Sequence, residues 1–364
     1  MHMMIVKGVS FLLALFGVVL FIDARAQAGD IRWIQPTDGH AEAVWGIENG
    51  VVFSLWPYSV EHSEQRPFGG GPRGLIRVGY QYGGKTYMMN FLAIEPVVDG
   101  EIEFSEISPS VIDGVWGKLL WASDRAEPGY YYPTARTRGV ITQMGEGEQL
   151  VEELSVYIFM ERFAHGAAPY LRLSIRSDRP EELGVQVFHL EGSAPMDRCA
   201  ITATMGNYSR LRNLHLKKGV VSSNELYVGF DGIDFIEKES YPVGQMLDDG
   251  KGSLWAIATG DETIEQLADW PSDTLARRRA NWKYRAPIKL TQYWRKEKRA
   301  ADPSLVVRVN GRARYWSGGS RDESRYMRIP GGPSFENFEL REKYTPGQQF
   351  YYGITRKTPE ELME

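Results

Sequence analysis

The chain has 364 residues, 43% apolar and 12% aromatic, with 38 glycines, 10 tryptophans, 19 tyrosines and one cysteine. A formal charge of −5 argues against a nucleic-acid partner, which selects basic surfaces. The lone Cys199 excludes an intramolecular disulfide, so stability must come from a large apolar core.

The chain opens with an export signal. Lys7 supplies the positive charge, the run from Val9 to Ile22 is apolar, and Ala24-x-Ala26 or Ala26-x-Ala28 offers the small residues of a cleavage site. That run is shorter than the roughly 20 residues of a spanning helix. Residues 1–28 are therefore expected to be cleaved, leaving a secreted or periplasmic chain with no membrane span. Residues 29–364 are expected to form one domain. Nothing in the sequence sets an oligomeric state.

Most of the mature chain reads as strand. Gly74 to Tyr82 and Lys85 to Glu95 flank Gly83-Gly84, a hairpin signal. In the second run Tyr87, Met89, Phe91 and Glu95 fall on one face and Met88, Leu92 and Ile94 on the other. Val151 to Phe163, Tyr170 to Ser177 and Leu183 to Glu191 follow with turn residues between them. Helix caps at Asp261 and at Ser272 or Asp273 predict short helical insertions within about 261–300. Leu305 to Val309 and Arg312 to Trp316 flank Asn310-Gly311, a second hairpin signal. The expected fold is mainly β, a large antiparallel β-sandwich of supersandwich or jelly-roll type.

Walker loops, dinucleotide fingerprints, His-Glu-x-x-His and Gly-x-Ser-x-Gly are absent, which argues against nucleotide chemistry, zinc proteolysis and common serine hydrolysis. Looser constellations remain. Glu161 and His165 close an aromatic strand, where a carboxyl can act as a general acid. His189-x-Glu191 alternates onto one strand face and suits a base with its partner. Asn207, Tyr208, Arg210 and Arg212 follow closely. Together with His189 they match β-elimination from a uronate, with Arg or Asn neutralising the carboxylate and His or Tyr moving the protons. Glu336, Asn337 and Glu339 lie on an acidic strand with Phe335 and Phe338, suited to one wall of a sugar cleft or to calcium. Tyr293, Trp294 and Arg295 suit sugar stacking and anion recognition.

These residues point to an exported carbohydrate-active enzyme with a polysaccharide or oligosaccharide partner. The leading reading is a lyase on a uronate-containing glycan, needing no metal or cofactor, with calcium as an option. The alternatives are a glycoside hydrolase drawing on Glu161, Glu191, Glu95 and Glu106, a non-catalytic sugar-binding protein, and a structural protein of the envelope.

Overall fold

The computed structural model describes residues 31–38, 43–55, 73–129, 137–145, 150–204, 210–236, 239–261, 287–315 and 327–364, and the backbone of 282–283. The expected signal segment and the part of the expected helices over 262–281 lie outside the described residues. Arg32–Glu364 form one compact unit.

Two large sheets carry the fold, as the alternating runs predict. The front sheet runs, in spatial order, Trp33–Ile34, Val44–Ile47, Val51–Leu55, Ile76–Tyr82, Lys85–Val98, Arg198–Thr204, Ser334–Arg341, Val306–Arg312 and Glu239–Pro242. The back sheet runs Gly219–Ser222, Leu211–Leu216, Ser253–Gly260, Thr291–Glu297, Gln348–Thr355, Arg179–His189, Pro169–Arg176, Val151–Met160 and Leu120–Ser123. Neighbours along both paths pair antiparallel. Trp282–Lys283 joins the front sheet by a parallel pairing with Lys85–Val98. No described helix is long and apolar enough to cross a membrane.

One apolar core fills the space between the sheets. Leu92, Ile94, Ile201, Phe338, Leu340 and Val307 meet Val156, Leu173, Val185, Ala256, Trp294 and Phe350 there. A few polar groups bridge the sheets inside it. Trp294 Nε1 donates to the Phe338 carbonyl at 2.8 Å, and Asn90 Nδ2 donates to Gln292 Oε1 at 2.9 Å. Cys199 is buried in this core, where burial pushes its thiol well above the ordinary range, so it serves as a small apolar side chain.

The Gly83-Gly84 hairpin forms with Tyr82 opposite Lys85, and both glycines adopt positive φ, as a two-residue turn between twisted strands requires. Two expectations fail, each because of a bulge. Val78 pairs with Asn90 and Gly79 with Met88, so Met89 is an extra residue. The side-chain alternation resets there, and Tyr87 and Met89 join Leu92 and Ile94 in the core while Phe91 keeps the opposite face. Asn310-Gly311 makes no hairpin: Val306–Arg312 runs straight through it. Asn310 pairs with Asn337 and Gly311 with Phe335, leaving Glu336 as the extra residue of the facing strand. Gly311 is needed because the Tyr227 ring would lie 2.3 Å from any Cβ. The part of the expected helical insertion that is described contains the strand Thr291–Glu297.

Candidate functional site

Because Leu92, Ile94, Ile201, Ala203, Val307, Val309, Phe338 and Leu340 face the core, the residues between them face outward. That outward side of the front sheet is divided. Near Val51–Leu55 it is apolar, with Val52, Leu75, Phe91 and Ala93 clustered. Across the Arg198–Thr204, Ser334–Arg341 and Val306–Arg312 strands it is charged, and still buried. Glu95 is 1% exposed, Glu336 1% and Glu339 0%.

Cross-strand register assembles the charged group. Glu339 lies between Thr202 and Arg308, and Glu95 lies opposite Ala200 one row away. Thr202 Oγ1 donates to Glu339 Oε2. Arg308 Nη1 stands 3.5 Å from Glu339 Oε1. Arg341 Nη2 reaches both acids, at 3.2 Å from Glu95 Oε2 and 3.5 Å from Glu339 Oε1. Burial, followed by the charge of Arg341, pushes Arg308 below the usual guanidinium range. Arg198 adds its charge at the rim of this group.

The bulge extends the site along the same strand. Phe335 and Phe338 both face the core with two residues between them, so Glu336 and Asn337 both turn outward. Arg312 Nη1 sits 3.4 Å from Glu336 Oε1, and its guanidinium lies over the Phe235 ring at 4.9 Å. Burial raises the Glu336 carboxyl above the usual carboxylate range, with Arg312 opposing. A guanidinium beside this acid is unfavourable to calcium there. Among the described residues no three His, Cys, Asp or Glu side chains gather as a metal site.

The other residues singled out in the sequence occupy separate places. Glu161 holds the 104–119 loop: its carboxylate accepts from the Ser110 hydroxyl and from the backbone N–H groups of Val111, Ile112 and Leu119. His165 is tucked into the adjacent turn against the Pro96 carbonyl and Glu103. His189 ends its strand exposed, with Nδ1 2.9 Å from the Tyr344 hydroxyl. Glu191 lies past that strand in an exposed turn, so the two do not share a strand face.

Arg210 and Arg212 stand at the opposite end of the back sheet from His189. Pairings Leu211↔Gly260, Ala258↔Gln292, Thr291↔Thr355 and Glu182↔Gly353 run along one end, while His189 closes the other. Arg212 is a buried clamp, donating to Asp261 at 2.6 Å and to the Pro330 and Gly332 carbonyls. Asn207 and Tyr208 lie outside the described residues. Of the elimination group read from the sequence, His189 and the two arginines therefore stand at two ends of the sheet.

Tyr293 and Arg295 face away from the core but not toward solvent. Arg295 grips Glu182 through Nε at 2.8 Å and Nη2 at 2.7 Å. Tyr293 packs with Trp255, Ile257, Leu362 and Met363, the last two from the closing helix Pro359–Met363. Trp294 is in the core. On the outward side of the back sheet, Trp121, Phe159, Tyr170 and Phe188 stack on one another at 6.2, 4.9 and 5.2 Å. The ring faces of these four are spent on each other and not on a sugar platform.

The sequence marks Glu336, Asn337 and Glu339 as one wall but does not join Arg308, Arg341 and Thr202 to it as partners. Val307-Arg308-Val309 is the signal that was there: an arginine alternating against two core valines.

No protein-family model matches the chain, and no curated protein matches it. Among solved structures, one that matches is the crystal structure of a presumed mutarotase from Salmonella typhimurium. It aligns over 78% of this chain and 91% of that one, at 9% identity and a TM-score of 0.22. So loose a superposition fixes neither fold nor function, and both rest on the geometry above.

Proposed function

We propose that the protein is an exported enzyme that cleaves glycosidic bonds in an acidic polysaccharide on the outward, charged side of its front sheet. The observation that supports this reading is the gathering of three carboxyl groups, Glu95, Glu336 and Glu339, among arginines on one buried face outside the core, with Glu95 and Glu339 3.2 and 3.5 Å from one Arg341 nitrogen. Glycoside hydrolysis runs on two carboxyl groups, one giving a proton to the leaving oxygen and one acting on the anomeric carbon directly or through water. Arg77, Arg198, Arg308, Arg312 and Arg341 share this face with Glu95, Glu336 and Glu339. Cations outnumber acids among these described residues although the whole chain carries −5, which favours an anionic sugar such as a uronate.

Hydrolysis is preferred to elimination because, among the described residues, His165, His189 and Tyr344, which would serve as bases, have their hydrogen bonds elsewhere than on this face. The test is the purified mature protein with neutral and uronate-containing polysaccharides, following new reducing ends and ultraviolet absorbance together. Reducing ends without absorbance, on uronate polymers, is the expected result. Both signals rising would replace hydrolysis by lyase chemistry on the same substrate, and silence in both would refute an enzyme. Export is tested by the N-terminus of the protein recovered outside the cytoplasm, expected to follow Ala26 or Ala28.

A further inference from the structure

Three outward polar atoms near the bulge have no hydrogen-bond partner among the described residues: Ser334 Oγ, Glu336 Oε2 and Asn337 Oδ1. Ser334 and Glu336 are buried. Folding seldom leaves buried acceptors unpaired, and where it does an unseen group usually supplies the bond. The three belong to almost consecutive residues because the bulge turns two neighbours to one side. A ligand bearing several hydroxyl groups carries the donors that this array lacks.

The three glutamates of the face differ in how they are held. Glu339 is gripped by Thr202, Arg308 and Arg341, and Glu95 by Arg341. Glu336 has a single guanidinium, Arg312, at 3.4 Å on Oε1, and that guanidinium is shared with the Phe235 ring. Arg312 is the one charged group that acts on it among the described residues, and burial raises its carboxyl. Glu336 is the acid least committed to the salt-bridge network.

We infer that Glu336 is the proton donor of the reaction and that Glu339 is the charged carboxylate that works with it, an assignment that rests on the hydrolase reading. The bulge turns Glu336 to the same side as Glu339, three positions along one strand, and the inverting mechanism needs the two carboxyls far enough apart to admit a water. Glu336 gives the proton on Oε2 to the glycosidic oxygen, which keeps the electron pair of the broken bond and leaves as an alcohol. Water adds its oxygen to the anomeric carbon and gives its proton to Glu339. Proton exchange with solvent then resets both acids. The sum is one water consumed and two hydroxyl ends formed, with inversion at the anomeric carbon.

The experiment uses the full mature chain and Glu336→Gln, with glutamate carboxyls labelled with carbon-13 and titrated by NMR. One glutamate is expected to titrate above the usual range and to vanish in the variant. In parallel, cleavage of the polymer is compared with cleavage of an activated aryl glycuronide whose leaving group needs no proton. The variant is expected to lose about 100-fold or more on the polymer and little on the aryl substrate. An equal loss on both overturns the assignment in favour of a structural role, as does full activity on the polymer or the absence of the high-titrating carboxyl. A wild-type protein that cleaves neither substrate overturns the hydrolase reading, and the donor role with it, whatever the titration shows.

Discussion

Replacing Glu161 by alanine removes the acceptor around which the 104–119 loop is built. Four donors lose their partner: the Ser110 hydroxyl at 2.9 Å and the N–H groups of Val111, Leu119 and Ile112 at 2.8, 2.8 and 3.3 Å. Val111 and Ile112 lie at the exposed tip, and their N–H groups can be rehydrated. Ser110 and the Leu119 N–H are buried with the carboxylate. Each of these two bonds to a charged acceptor is worth about 1.5–3 kcal/mol, which sets the loss at about 3–6 kcal/mol. With a urea slope of about 3 kcal/mol/M for a chain of this size, the unfolding midpoint drops by about 1 M or more. Urea unfolding followed by tryptophan fluorescence measures it, with Trp116 in the loop as a local reporter. A midpoint unchanged within about 0.2 M, together with lost glycan cleavage, would refute the anchoring role and restore Glu161 to the chemistry.

Three further outcomes are expected. The Arg73 guanidinium holds the Asp113 carboxyl well below the usual range, so its stabilisation is present above the unfolded carboxylate value of about 3.9 and fades as the pH falls. Asp113→Asn should therefore be less stable near neutrality, by about 1 kcal/mol at most because the acid is partly exposed, and the gap in unfolding midpoint should close in acid; a gap independent of pH would count against the pairing. Gly353→Ala would set a Cβ 1.9 Å from the Tyr293 ring, an overpacking worth about 1–3 kcal/mol or more, and adding Tyr293→Val should recover part of the lost thermal stability; additive losses in the double variant would contradict the contact. Replacing Glu95, Arg308, Glu339 and Arg341 together by Leu, Met, Leu and Leu, so that no partner of Arg341 is left as a lone buried charge, should leave thermal stability equal or higher while abolishing glycan cleavage, and a variant that fails to fold would show that the charged group is structural.

How much of this was legible follows from how locally each feature is encoded. The Ile76–Val98 hairpin needs only two glycines with positive φ between two β-prone runs, and both are written in sequence order. A bulge has no such signature. Asn310-Gly311 resembles a turn, yet it opposes an extra residue in a strand more than twenty positions later, and the facing side chain, Tyr227, comes from elsewhere again. The same holds for the site. Alternation within 334–341 exposes Glu339 against Phe338 and Leu340. By contrast, the meeting of Glu95, Thr202, Arg308 and Arg341 depends on a strand order that joins residues separated by up to 246 positions. Glu161 and His165 read as a candidate catalytic pair because nothing in their neighbourhood reveals that the 104–119 loop folds back on them.

The charged group on the front sheet has a built-in comparison that bears on its purpose. One outward face of one sheet is divided between an apolar part, Val52, Leu75, Phe91 and Ala93, and a charged part around Glu339, and both are buried. Apolar packing is evidently sufficient to cover this sheet. Desolvating two acids and their arginines costs several kcal/mol per ion before their attraction offsets it, and well-packed apolar residues usually serve stability as well or better. The charged half is therefore not what folding alone would select. Among the described residues the acids are held unequally: Glu339 by Thr202, Arg308 and Arg341, and Glu336 by Arg312, with its Oε2 left without a hydrogen bond. A network built only for stability would close that position. Acids held in unequal environments, with open hydrogen-bonding positions between them, are what a face needs if it is to take up a polar ligand and move a proton.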